Sequence, residues 1–337
     1  MISRDAKALF AINSILDRID PLTREIPGIV NGDNPECLHR MRVASRRLRS
    51  ALRLQAERVG LADARALFKL VRSITRILGS ARDLDVQKAW LEEFMSRCLQ
   101  REKGGVNRLI LRVSQERQKL QPQIVQAVSN ITDNPVFKNA VEKLLSARLE
   151  AEMNGVAAEG DIWYATRVIG IQLEFVIQQS ISLISRDAHQ AHHRMRIEVK
   201  RLRYAMEIFG EVYSGIEEKW NEYMAMIKEL QGLLGDLHDA DAWVERAPLL
   251  SVAEMERTEI YFGTAKHFVS LAPGYDAIEK DRTAFRDEQF KRTFDFWNET
   301  TKAGEWRGLR EIILLTYRRK VNDANLCRGD ADSTPNA

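Results

Sequence analysis

The stretch His39-Arg40-Met41-Arg42-Val43-Ala44-Ser45-Arg46-Arg47-Leu48-Arg49-Ser50-Ala51-Leu52 returns 154 residues later as His193-Arg194-Met195-Arg196-Ile197-Glu198-Val199-Lys200-Arg201-Leu202-Arg203-Tyr204-Ala205-Met206, with eight of fourteen positions identical. In the first copy His39, Arg42, Arg46, Arg49 and Arg53 step by 3, 4, 3 and 4. That spacing places them on one face of an α-helix, in a row roughly 21 Å long. One residue ahead run Leu38, Met41, Ser45, Leu48 and Leu52 at the same intervals, so a mostly apolar seam lies about 100° around the helix from the cations. In the second copy His193, Arg196, Lys200 and Arg203 carry the row, and Met195, Val199, Leu202 and Met206 the seam. Each copy reads as a helix with one face turned to a core and the neighbouring face cationic.

A second match follows each copy, at an offset of 156: Leu78-Gly79-Ser80-Ala81-Arg82-Asp83-Leu84-Asp85 meets Leu234-Gly235-Asp236-Leu237-His238-Asp239-Ala240-Asp241. Two blocks in the same order at nearly one offset define an internal repeat. The small-residue break at 155–160 then separates two halves, 1–154 and 161–325, with residues 326–337 expected as a disordered tail. Helical spacing predicts helices over 36–59, closed by Gly60, and over 61–78, stopped at Gly79. Further helices are predicted over 83–99, 106–129, 136–153 and 306–321. No strand alternation persists anywhere, and the 8 prolines fall well below the usual ~5% share. The fold class is all-α.

Length and composition narrow the function. A chain of 337 residues that is 45% hydrophobic has room for two cored modules. The three cysteines, Cys37, Cys98 and Cys327, are far apart and lack metal-ligand spacing, which speaks for a reducing compartment and against a thiolate zinc site. No signal core opens the chain and no stretch approaches ~18 uncharged apolar residues, so a cytoplasmic protein with no membrane partner is expected.

Net charge is only +3, but it is segregated: residues 38–80 hold eleven Arg or Lys against two acids, Glu57 and Asp63. The helix after the first stripe adds Arg65, Lys69, Arg72 and Arg76 at steps of 4, 3 and 4. Like charges at this spacing destabilise a helix by about 0.2–0.5 kcal/mol per pair, and a merely solvated face intersperses acids to reverse that. Here the uncompensated potential suits an anion, and the arginines suit bidentate contact with phosphate oxygens. His39 and His193 open the two rows; cationic neighbours favour their neutral form, and either protonation state can hydrogen-bond an oxyanion. Asp83, Asp85, Asp239 and Asp241 are expected in a scaffold role, at helix N-termini or paired with arginines.

The paired His-x-x-Arg-x-x-x-(Arg/Lys)-Arg-Leu-Arg helices, each followed by Leu-Gly-x-x-(Arg/His)-Asp-x-Asp, resemble the CHAD family, the conserved-histidine α-helical domain, over most of the chain. The resemblance implies two four-helix bundles related by a pseudo-twofold, with basic helices lining a central groove or channel. It also implies binding of inorganic polyphosphate and association with polyphosphate granules. By matching position, the implied ligand-binding residues are His39, Arg42, Arg46 and Arg49 in the first copy and His193, Arg196, Lys200 and Arg203 in the second. Arg53, Lys69, Arg72, Arg76 and Lys228 extend the cationic faces. The second copy is thinner, with Glu207 opposite Arg53, and Ala225 and Gly232 opposite Lys69 and Arg76.

No catalytic residue, cofactor or resident metal is expected. One alternative is a metal-dependent phosphohydrolase built on His192, His193, His238, Asp239 and Asp241. Against it, the repeat puts Arg82 where His238 stands. The other alternative is binding to a nucleic-acid backbone, which the same electrostatics allow. It is disfavoured because residues 38–67 contain no aromatic on which a base could stack.

Overall fold

The computed structural model describes residues 5–32 and 34–331, with side chains to residue 323. Among these residues every regular element is a helix, as the spacing predicts. The chain divides into two compact units: Met1–Ala158 with Ala240–Arg286, and Glu159–Asp239 with Asp287–Ala337. These units differ from the sequential halves 1–154 and 161–325, because residues 240–286 associate with the first. Helix α12 extends to Ala331, through the start of the expected tail, and 332–337 lie outside the described residues.

The first unit opens with α1 (Ala6–Leu16) and the short helices α2 (Asp20–Thr23) and α3 (Ile26–Asn31). The long elements follow: α4 (Pro35–Val59), α5 (Ala64–Arg97), α6 (Lys103–Ser129) and α7 (Pro135–Met153). Local chemistry sets the ends of α4. The Asn34 side chain accepts a hydrogen bond from the Glu36 amide at 2.8 Å, Pro35 occupies the first turn, and Gly60 leaves the helix at φ 68°. The seam residues Met41, Ser45, Leu48 and Leu52 are buried. Helix α4 packs on α1 and α5, and α5 on α6 and α7.

Helix α5 runs unbroken through Gly79, where a stop was expected. A glycine inside a helix costs only about 1 kcal/mol relative to alanine. Burial of Leu78 and Ala81 on either side of it outweighs that cost. Asp83, Asp85, Asp239 and Asp241 therefore lie inside helices, and Asp83, Asp85 and Asp241 pair with arginines. Arg117 Nε donates to Asp85 Oδ1 at 2.9 Å, and Arg286 Nε donates to Asp241 Oδ1 at 2.9 Å.

The remaining long helices are α8 (Ile162–Gln179), α9 (His189–Phe209), α10 (Glu217–Phe262), α11 (Ala272–Lys302) and α12 (Glu305–Ala331). Both α10 and α11 are divided between the units. The part of α10 in the first unit is anchored there by an aromatic cluster of Phe94, Trp243, Phe268 and Tyr275 with Leu91, Leu109 and Ile278. A buried ion cluster reinforces it: Arg112 Nε donates to Glu254 Oε2 at 2.7 Å, and the Glu254 side chain is 1% exposed. In the second unit α8 packs on α9 and α12. Tyr213 stacks on Trp220 at 4.5 Å, and the Tyr213 hydroxyl bonds the Thr166 hydroxyl at 2.9 Å.

Candidate anion-binding faces

Helices α4 and α5 form an antiparallel hairpin whose cross-contacts run in opposite directions along the two helices. Arg82 pairs with Glu36 at 3.6 Å and Arg42 with Asp83 at 3.6 Å. The buried Thr75 hydroxyl donates to that of Ser45 at 3.1 Å, and the Arg49 guanidinium lies 5.4 Å from the Phe68 ring centroid. The arginine row of α4 therefore follows the flank that faces α5. A Cβ built on Gly79 would stand 3.6 Å from Arg42 Nε, so the small residue inside α5 leaves space for the arginine beside it.

His39, Arg42, Arg46 and Arg49 are half-buried along this flank, and Arg53 is exposed. Across the hairpin Lys69, Arg72 and Arg76 are exposed. They sit one residue on from the buried α5 seam of Val71 and Thr75 or at the same helical phase. The sequence-derived residues of the first half thus occupy one hairpin. Burial lowers the His39 pKa, and the charge of Arg82 lowers it further. The ring's buried Nδ1 makes no hydrogen bond among the described residues.

In the second unit the matching residues stand on α9 and the first part of α10. His193 and His238 meet at 3.3 Å between their Nδ1 atoms, with ring centroids 4.5 Å apart. Burial, followed by the charges of Arg196 and Lys200, lowers the His193 pKa. Arg196, Lys200 and Arg203 are half-buried on α9, and Lys228 is exposed on α10. Arg203 Nε lies 3.1 Å from Glu207 Oε1, both side chains being largely covered. That acid occupies the position of Arg53 in the first copy, so the second face carries less net positive charge.

Sequence reasoning singled out the cationic rows but not the groups beneath them. Phe68 under Arg49 gave no signal by spacing. The charge of Arg82 felt by His39, and the contact of His238 with His193, are traceable to the second repeat block, whose offset of 156 relates Arg82 to His238. The alternative metal set does not assemble. His192 is buried and its Nε2 donates to the Ser182 carbonyl at 3.0 Å, while Asp241 is held by Arg286. No group of three or more His, Cys, Asp or Glu among the described residues is placed to hold a metal ion.

The protein is an all-helical domain in which α4 and α9 each carry a histidine followed by a row of cations. The sequence model of the CHAD domain matches residues 14–248, and the chain belongs to the CHAD family, which is associated with polyphosphate-related proteins. Among solved structures, the chain is similar to the CHAD domain from the plant Ricinus communis, with 23% identity and a TM-score of 0.57, covering 84% of this chain and 94% of that one. It is also similar to PptA from Streptomyces chartreusis, with 13% identity and a TM-score of 0.55, covering 86% of this chain and 98% of that one. These likenesses establish the fold. No curated protein matches the chain.

Proposed function

We propose that this protein binds inorganic polyphosphate through the cationic faces of its two hairpins, without catalysing a reaction on it, and that this binding places it at polyphosphate granules. The observation that carries the reading is the row His39, Arg42, Arg46, Arg49 and Arg53, with no acid in it, along the flank of α4 that faces α5. Guanidinium groups at this spacing donate charge-assisted hydrogen bonds to successive phosphoryl oxygens, and each bond is stronger than its neutral counterpart. The histidines add donors at the start of each row.

A linear polymer engages many of these groups at once, so affinity should climb steeply with chain length by effective concentration. Titration with orthophosphate, triphosphate and long-chain polyphosphate tests this. Affinity rising at least a hundredfold across the series supports the reading, and equal affinity for all three overturns it. Competition between long-chain polyphosphate and duplex DNA at fixed ionic strength distinguishes the nucleic-acid alternative, which would stand if DNA won.

A further inference from the structure

A second concentration of positive charge lies apart from the cationic rows, where α6 meets the part of α10 that belongs to the first unit. Arg108 and Arg112 on α6 and Arg257 on α10 converge on the single carboxylate of Glu254. Burial opposes the charge on Glu254, but the three arginines overcome it and hold the carboxyl below its usual range. One negative charge therefore faces three positive ones, an excess of two. Acids close in sequence do not remove it. Glu116, one turn beyond Arg112, accepts from Lys119 at 2.8 Å. Glu256 and Glu259 stand two residues, about 200° of helical turn, from Glu254 and Arg257 respectively.

The three arginines divide into two roles. Arg112 grips the carboxylate with its whole fork, Nε to Oε2 at 2.7 Å and Nη2 to Oε1 at 2.9 Å. That bidentate pair is complete by itself. Arg108 reaches Oε1 only through Nη1, at 3.3 Å, and Arg257 Nη1 lies 3.5 Å from Oε2. Their side chains are 39% and 49% exposed against 1% for Glu254, which leaves guanidinium edges open to solvent. Arg108 and Arg112 stand four residues apart on one helix, where like charges cost about 0.2–0.5 kcal/mol, a cost that one structural ion pair does not require. Beside the cluster the buried Tyr275 hydroxyl makes no hydrogen bond among the described residues. The charges acting on it are those of Glu254 and the same three arginines, so a buried donor without a protein acceptor stands at the same place.

We infer that Arg108 and Arg257, braced by the Arg112–Glu254 pair, form a binding site for a phosphoryl group carrying two negative charges. Such a group matches the excess of two, and its oxygens accept from both guanidinium forks at once. Arg108 and Arg257 make the longer contacts with Glu254 and can turn to the ligand while Arg112 keeps the carboxylate covered. An oxygen drawn in between them also offers the Tyr275 hydroxyl an acceptor. The double charge distinguishes this site from the rows of α4 and α9: an inner unit of polyphosphate carries one charge, whereas orthophosphate or a terminal phosphoryl group carries up to two. Arg257 lies outside residues 14–248 matched by the family model. The inference stands on residues separate from the cationic rows and does not depend on the polyphosphate reading.

Calorimetric titration of the full chain with orthophosphate at about pH 8, where the dianion prevails, tests it. The protein carries Arg42→Glu with Arg46→Glu, so that the row of α4 is reversed. One saturable site is expected. Adding Arg257→Gln, or in a separate protein Arg108→Gln, should weaken that site at least tenfold with helical content by circular dichroism unchanged, since each variant keeps the Arg112–Glu254 pair. Acetate, with one charge, should bind at least tenfold more weakly than orthophosphate. Triphosphate then separates the sources: displacement of bound orthophosphate assigns the site to chain ends as well, and no displacement assigns it to free orthophosphate. The inference is overturned if orthophosphate shows no saturable binding, if either glutamine variant binds it as tightly as the parent, or if acetate binds equally well.

Discussion

His193 and His238 face each other through Nδ1 atoms 3.3 Å apart, a contact that holds only while one Nδ1 carries a hydrogen and the other offers its lone pair. The repeat places Arg82 at the position of His238, and the charge of Arg82 is felt by His39. One hairpin therefore has a permanent cation where the other has a titratable ring. Replacing His238→Arg should strengthen polyphosphate binding severalfold near pH 8 and flatten the pH dependence contributed by the second hairpin. Calorimetric titration of wild type and variant at two pH values checks this; a weaker complex would show that the pair is needed as it stands.

The pH dependence of wild type has a definite sign. His39 and His193 both have pKa values held below 6.5, first by burial and then by cationic neighbours. A bound polyanion favours the imidazolium, so both pKa values rise in the complex and binding takes up protons. Affinity must then increase as pH falls from the bound-state pKa toward the lower free-state pKa, and level off below it. Binding isotherms from about pH 7.5 to about pH 5.5, with the proton uptake measured in two buffers, report the effect.

The two faces should contribute unequally. Arg42→Glu with Arg46→Glu reverses charge at the centre of the more cationic row and should reduce polyphosphate affinity at least a hundredfold, with helical content by circular dichroism unchanged. The matching change in the second hairpin, Arg196→Glu with Lys200→Glu, should cost less, since Arg203 is already paired with Glu207. Conversely, Glu207→Arg restores the residue type of the first copy and should raise affinity severalfold.

How far the sequence specifies all this is visible at three places. The cationic rows were legible because helical phase needs only spacing, and the ends of α4 because Asn34, Pro35 and Gly60 are local signals. No helix stop forms at Gly79, because propensity at one glycine is small beside the burial of Leu78 and Ala81, which depends on residues far away in the chain. The attachment of residues 240–286 to the first unit was not legible. It rests on Trp90 meeting Trp243 at 5.0 Å and Glu254 meeting Arg112, pairs separated by more than a hundred positions. No periodicity announces contacts of that kind.

That attachment has measurable consequences for stability. Glu254 is a buried carboxylate placed among Arg108, Arg112 and Arg257. Glu254→Ala would leave guanidinium charge unpaired beside the core and should cost about 3–5 kcal/mol. Gly274→Ala would push a Cβ to within 2.3 Å of the Glu102 carbonyl oxygen, a backbone clash that no side-chain rotation relieves, and should lower Tm more than Gly235→Ala. At Gly235 the added Cβ meets no atom within 4 Å, and alanine in a helix interior is expected to stabilise by roughly 0.5–1 kcal/mol. Thermal denaturation of the three variants, followed by circular dichroism, orders them.

The most direct measurement is the salt dependence of long-chain polyphosphate affinity in wild type and in Arg42→Glu with Arg46→Glu. Several cations neutralising one polymer displace its condensed counterions, so log affinity should fall linearly and steeply with log salt. The slope should become shallower in the variant, in step with the contacts removed. A flat response, or the same slope in both proteins, would contradict binding by the arginine row of α4.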